Sequence, residues 1–334
     1  LCCKDWIRGW LTGVWASEES DASYVPFNIR TRNWDERLFE LTETKAASHL
    51  LPELLPVSRT DPLLGGIARE LGLRAGIPVA LGATDIIAGC VGGGAVAPGH
   101  AVTILGTSAN SSIVTDNPEF DPPGIGIMAA APLSRWVRTM VNTSGAMTLD
   151  WAARLFTGSD VVELFRRAEQ ADVSDLPVLV PYLAAAGVVS PFVDAHARGA
   201  FLGLRASHGS AEMCRAGVEG LAFAVADCYA SMPSSVTRIS ATGGAAKSDL
   251  LLQTIASATG ADVVRPAGEE FGARGVALLA AFHAGLVSAE EFSSLARGLD
   301  VERVFAPRPE SVAARLRRYR ESGGMTRGTG KLWP

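Results

Sequence analysis

No run of lysine or arginine forms a basic stripe anywhere in the 334 residues, and the formal charge of -5 argues against a general nucleic-acid binder. No CxxC pair occurs either. The five cysteines (Cys2, Cys3, Cys90, Cys214, Cys228) are an odd set whose spacing disfavours a disulfide framework and a structural zinc site, so a reducing cytoplasm is the expected compartment. The histidines form no HExxH and no serine sits in a GxSxG elbow, which removes support for zinc peptidases and α/β-hydrolases. Residues 86–115 lack Asp, Glu, Lys and Arg, yet their glycines, Pro98 and hydroxyls make them a poor membrane span. The opening LCCKDWIRGWLTG has neither an initiator methionine nor the plan of a signal peptide; it reads as a piece of a longer or trimmed chain.

What is present is a large apolar fraction. Hydrophobic residues make up 48%, enough for a sizeable core, and the length suits about two domains of roughly 150 residues each. The first eighty residues read as short helices joined by polar loops. From the apolar run Val79–Leu81 onward, strand and helix alternate. AVTIL (101–105), SSIV, RWVRTMVN, VLVPYL, VTRISA and ADVVR read as strands. A helix from about Ile86, a long one over SAEMCRAGVEGLAFAVADCYASM, DLLLQTIASATG and GARGVALLAAFHAG lie between or after them. An α/β fold follows. The tail GGMTRGTGKLWP is expected to fray.

Two features carry chemistry. In VALGATDIIAGCVGGG (79–94) the single ionisable residue is Asp85, which in so apolar a stretch must find a partner, coordinate something, shift its pKa upward, or cap a helix beginning at Ile86. Then three glycine turns each follow an apolar strand: LGTSANS (105–111), NTSGAMT (142–148) and ATGGAAKSD (241–249). Glycine allows close backbone approach and Thr or Ser adds donors, so the set suggests one large anionic ligand; each turn alone is ordinary turn chemistry. TGGAAKS is not a Walker A loop, because Ala246 stands where a glycine should precede Lys247. GGGAVA (92–97) fits GxGxxA but ends a helical stretch, which leaves a dinucleotide-dependent oxidoreductase as a weak alternative.

The order KDWIRGWLTG, SDAS, GLRAGIPVALGATD, VTILGTS, PYL, ARGAFLGL, RAGVEGLAF and ATGGAAKSDLLLQTIASATGADV resembles the FGGY carbohydrate kinases across nearly the whole chain. The resemblance implies an actin-like (ribonuclease H-like) ATPase fold, a mixed sheet flanked by helices, and ATP-dependent phosphorylation of a sugar or polyol. Asp85 would be the general base. Gly106, Thr107 and Ser108 would approach the β- and γ-phosphates, Gly145 would lie close to the nucleotide, and Gly243, Gly244, Ala245 and Ser248 would border the adenosine. Mg²⁺ would be held mainly by phosphate oxygens and water, without an all-protein cage. A homodimer is the family expectation.

The sequence departs from the family in three places. The DxGT-type phosphate loop that opens the family's first domain is absent, so residues 1–82 would be the end of a truncated first domain and 83–334 the complete second one. A molecule beginning at Leu1 would bind nucleotide weakly and not turn over. PYLAAAGVVSPF lacks the Gly-Glu-Arg stretch of many xylulose kinases, which weakens a D-xylulose assignment and brings L-xylulose and erythritol kinases into range. Lys247 and Ser248 fall where nucleotide contacts vary, so ATP preference is inherited from the resemblance. A non-catalytic, regulatory actin-like protein remains the rival of a different class; it would share the glycine turns but would not need Asp85.

Overall fold

The computed structural model describes the backbone of residues 1–326 and the side chains of residues 1–323. Its centre is a seven-stranded mixed sheet. In chain order the strands are β1 (His100–Leu105), β2 (Ala109–Thr115), β3 (Ile127–Ala131), β4 (Arg135–Asn142), β5 (Arg238–Thr242), β6 (Asp262–Pro266) and β7 (Val301–Phe305). Across the sheet they run β7-β6-β5-β1-β2-β4-β3. The pairs β1/β2, β2/β4 and β4/β3 are antiparallel, β1/β5 and β5/β6 parallel, and β7 closes the far edge antiparallel to β6.

Alternation along the strands sends side chains to two separate cores. Ala101, Leu105, Ile113, Met140, Ile239 and Val263 face one cluster, shared with Leu149, Leu164, Val218, Leu221, Val225, Leu251 and Ile255. Those partners come from α3 (Met147–Phe156), α4 (Val161–Glu169), α5 (Ser210–Ala230) and α6 (Asp249–Thr259), which follow α1 (Cys3–Thr12) and α2 (Asp85–Gly92) in the chain. Val102, Val114, Ala129 and Val137 face the other core, with Ile87 and Val91 of α2, Leu279 of α7 (Phe271–His283) and Phe292 of α8 (Ala289–Arg297). A sheet covered on both faces needs mostly apolar residues at successive positions, hence the run AVTIL; RWVRTMVN departs from this at the buried Arg138, which donates to the carbonyls of Ile125 and Ile127. Helix α5 is apolar nearly all round because it is buried nearly all round.

Helices α2 and α7 cross with their backbones almost touching. A Cβ on Gly92 would lie 2.7 Å from the Phe271 carbonyl carbon and one on Gly275 2.7 Å from that of Ala88. GGGAVA therefore begins at the last residue of α2 and leads toward β1; it does not join a strand to a helix.

The strands and helices expected from the sequence form, with two-residue strands added among the short helices before residue 80. The short strand Pro78–Ala80 pairs with Thr60–Pro62. Not expected were the two sheet edges. IMAAA is too rich in alanine to signal a strand and VERVF too charged; pairing with β4 and β6 extends them. Helices α4 and α8 were also unanticipated. Of the tail expected to fray, residues 323–326 belong to the final helix, Ala313–Thr326, and the rest lies outside the described residues. No helix among the described residues is long and apolar enough to cross a membrane.

Candidate active site

The chain leaves β1 at Leu105 and re-enters the sheet at its partner Ala109, so Gly106, Thr107 and Ser108 form the tip of a tight hairpin. Gly106 N–H donates to the Ser108 carbonyl at 3.1 Å, and Thr107 stands exposed at the apex. The turn after β4 is locked to this tip. Ala146 N–H donates to the Gly106 carbonyl at 2.8 Å, while Gly145 is buried against the hairpin: a Cβ there would lie 2.5 Å from both Ser108 Cα and Ala109 N. No larger residue fits without moving the tip.

The third turn follows β5, whose last residue Thr242 is registered beside Ile104 of β1. Gly243 crosses over the end of β1 with φ +91, and a Cβ would meet the Leu105 carbonyl oxygen at 2.7 Å. One 3₁₀ turn, Gly244–Lys247, leads to Ser248, whose Oγ accepts from Leu251 N–H at 3.2 Å and caps α6. Arg265 on β6 clamps this segment, donating to the carbonyls of Ala246 (2.8 Å) and Lys247 (3.1 Å) and to Asp249 Oδ1 (2.7 Å). Only Arg has a planar fork able to serve three such acceptors at once. Sequence reasoning missed it, because a lone Arg at the end of ADVVR has no local signature.

These turns surround a cavity of about 630 Å³ lined by Gly106, Thr107, Ala146, Gly244, Ala245, Lys247, Ser248 and Asp249. Its far wall is apolar: Leu149 from α3 and Val161, Val162 and Phe165 from α4, with the carboxylates of Asp150 and Glu169 at the margin. Both α3 and α6 begin at the cavity, and a helix start carries a partial positive charge that favours an anion; the first amides of α3 are already bonded, those of Ala146 and Met147 to the Gly106 and Thr107 carbonyls. An apolar wall facing a polar rim with a hydroxyl at Thr107 suits a molecule with a flat base at one end and phosphates at the other. A second cavity of about 410 Å³ adjoins it, sharing Gly244 and Lys247 and lined also by Gly243, Arg265, Glu269 and Glu302.

Of the residues singled out from the sequence, Gly106, Thr107, Gly244, Ala245 and Ser248 line the larger cavity and Gly243 the adjoining one. Ser108 and Gly145 line neither; Gly145 packs directly beneath Ser108 at the tip. The α4 wall could have been noticed in the amphipathic spacing of VVELFRRAE behind Asp160, which caps that helix.

Asp85 lines neither of these cavities, and its surroundings differ from the apolar setting its neighbours in sequence suggest. The side chain is exposed. It is also not the helix cap. Thr84 is extended and its Oγ1 accepts from Ile87 N–H at 3.4 Å, so α2 begins at Asp85 itself, whose Oδ1 accepts from Ile86 N–H at 2.8 Å. The neighbouring Tyr24 phenol bonds the Thr84 side chain; burial pushes it up to about 12, with the charges of Asp85 and Asp21 contributing. Exposure leaves the Asp85 carboxylate hydrated and free to face a ligand.

This mixed sheet with helices on both faces is the actin-like ATPase fold. The ligand-bound xylulose kinase of Lactobacillus acidophilus superposes with a TM-score of 0.86 at 25% identity, over 96% of this chain and 66% of that one. A "xyloylose kinase" of Brucella ovis gives 0.85 at 27% identity, over 100% and 68%. At the level of family, the chain belongs to the FGGY carbohydrate kinases: the family's N-terminal domain model matches residues 1–92 and its C-terminal domain model residues 101–284. The erythritol kinase of Brucella abortus is 35% identical over 303 residues, covering 85% of this chain. The xylulose kinase of Escherichia coli is 34% identical over 291 residues, covering 84%. The chain spans 58% of the length of each of these two relatives.

Proposed function

We propose that this chain supplies the nucleotide site and the general base of a kinase that transfers the γ-phosphoryl group of MgATP to a hydroxyl of a small sugar or polyol. The observation that carries this is the meeting of three glycine turns, from β1, β4 and β5, with two helix starts around one cavity of about 630 Å³. The family membership supports the chemistry, and the family-model spans 1–92 and 101–284 support the end of a first domain followed by a second; the division proposed at 82/83 lies ten residues before the end of the first span. Three buried unpaired thiols, Cys90, Cys214 and Cys228, fit a reducing cytoplasm.

In this reading the base and ribose lie along the α4 wall and the phosphates run toward Gly106, Thr107 and the positive end of α3. The turn offers hydroxyl and amide donors, which suit phosphate oxygens; Mg²⁺ would arrive with the nucleotide and keep several waters. Asp85 takes the proton as the acceptor hydroxyl oxygen bonds to the γ-phosphorus and the bond to the bridging oxygen of ADP breaks. Little covalent help is needed beyond a positioned base and in-line geometry.

The acceptor is best read as a pentulose such as xylulose, with the polyol erythritol as the alternative, since the two relatives above are named for those compounds at nearly equal identity. A coupled ADP assay across pentuloses, pentitols and erythritol tests this, in a protein carrying a first phosphate loop ahead of these residues. One preferred acceptor with sugar-dependent ADP release is expected. Nucleotide binding without sugar-dependent turnover would move the assignment to a regulatory nucleotide-binding protein.

A further inference from the structure

The turn that presents Asp85 is held from a part of the chain 64 residues earlier. Thr84 N–H donates to Ser20 Oγ at 3.0 Å, and both residues are buried. Ser20 in turn donates its one hydroxyl proton to Glu18 Oε1 at 2.6 Å. That leaves the oxygen's lone pairs facing Thr84, so the direction of the chain is fixed from Glu18 outward. Glu18 is fully buried, accepts from the amides of Ser20 (2.6 Å) and Asp21 (3.1 Å), and lies 3.3 Å from the Lys4 ammonium. A carboxylate with four donors around it has one orientation available.

The link ends at the residue before the base. Thr84 both receives this support and caps α2, so its backbone sets where Asp85 leaves the helix axis. At the other end of α2, Gly92 is wedged against Phe271. Glycine, alanine and threonine make up residues 82–84, and none of these side chains is large enough to brace the turn alone.

We propose that Ser20, oriented by Glu18, is the positioning residue for the catalytic carboxylate: it fixes the Thr84 amide and thereby the direction of Asp85. This rests on the reading of Asp85 as general base. Ser20 touches no reacting atom and acts only through the turn. A misplacement of about 1 Å in such a group can cost on the order of 100-fold in rate, whereas the nucleotide cavity, built on other strands, would be untouched.

The test is a cycle of Ser20→Ala and Asp85→Asn, measured as kcat and nucleotide KM in a protein carrying a first phosphate loop. Amide exchange at Thr84 is followed alongside in the present chain. Ser20→Ala should lower kcat by about 10- to 100-fold, leave nucleotide KM within about twofold, and speed exchange of the Thr84 amide. In the Asp85→Asn background it should lower kcat no further, because there is no longer a base to position. Glu18→Gln keeps an acceptor for the serine proton but loses one for the amides, and should fall between wild type and Ser20→Ala; it serves if the alanine variant does not fold. Wild-type kcat in Ser20→Ala, or an equal drop in both backgrounds, overturns the positioning role while Asp85 stands. Undiminished turnover in Asp85→Asn alone overturns the base reading and the proposal with it.

Discussion

Gly145 lies directly beneath Ser108, so that a single methyl group on the first would occupy the space of the second's backbone. The pair joins the β1–β2 hairpin tip to the start of α3. Neither can shift without the other. Gly145→Ala should therefore destabilise the fold by about 1–3 kcal/mol through overpacking, and weaken nucleotide binding by displacing Thr107. Gly244→Ala is the contrasting case, because a Cβ there meets nothing within 4 Å. It should leave the urea midpoint nearly unchanged. A Gly145→Ala protein with wild-type stability and affinity would show that the tip is adaptable.

Asp85→Asn should retain nucleotide affinity, read by calorimetry, because the side chain lines neither cavity. Turnover in a protein with the first phosphate loop should fall by about 10²- to 10⁴-fold, the usual contribution of a positioned base. The regulatory alternative expects ATP-driven behaviour to survive the change.

Arg265→Met removes the fork that holds the Ala246 and Lys247 carbonyls and Asp249. Charge-assisted bonds of this kind are worth about 1.5–3 kcal/mol each, so affinity for nucleotide should fall by at least about tenfold as the turn loosens. Arg265→Lys should restore little, since an ammonium cannot reach three acceptors in one plane. Full rescue by lysine would mean that charge, not the fork, matters.

Lys4 gives a prediction in pH. Its ammonium lies 2.6 Å from Asp21, 2.7 Å from Asp5 and 3.3 Å from Glu18. Burial alone would lower its pKa, but Glu18, Asp21 and Asp5 outweigh burial and hold it raised. A raised lysine contributes stability that is fully present below the ordinary lysine range and lost only as pH climbs through the raised value. Glu18 has the same sense, at lower pH. Burial raises its pKa against the pull of Lys4, so its contribution declines as pH rises from the ordinary glutamate range. Lys4→Met should thus cost about 3–5 kcal/mol near neutrality, where the buried carboxylates lose their counter-charge. The loss should shrink as pH falls toward the ordinary glutamate range, because Glu18, its pKa raised by burial, takes up a proton on the way. Urea unfolding near neutrality and at the lower pH measures it, and a loss independent of pH would contradict the assignment.

Much of the sheet was legible beforehand because strands buried on both faces are rich in apolar and β-branched residues, as AVTIL is throughout and RWVRTMVN is in part. The edges were not, since VERVF and IMAAA become strands only by pairing with a neighbour already in place. The glycine turns were visible as turns and, as a set, suggested one shared ligand; which of their residues face the cavity was not.

The sequence by itself determined the alternation of strand and helix, the three turns and the ordered motifs that mark the family, because each depends on residues close together in the chain. Tertiary structure alone decided that Thr84 rather than Asp85 caps α2, that Gly145 supports Ser108, that Arg265 clamps the third turn, and that Ser20 holds Thr84 across 64 residues. Those are contacts between distant segments. Only the packing of the whole chain brings their donors and acceptors within hydrogen-bonding distance, and no local pattern encodes which pairs will meet.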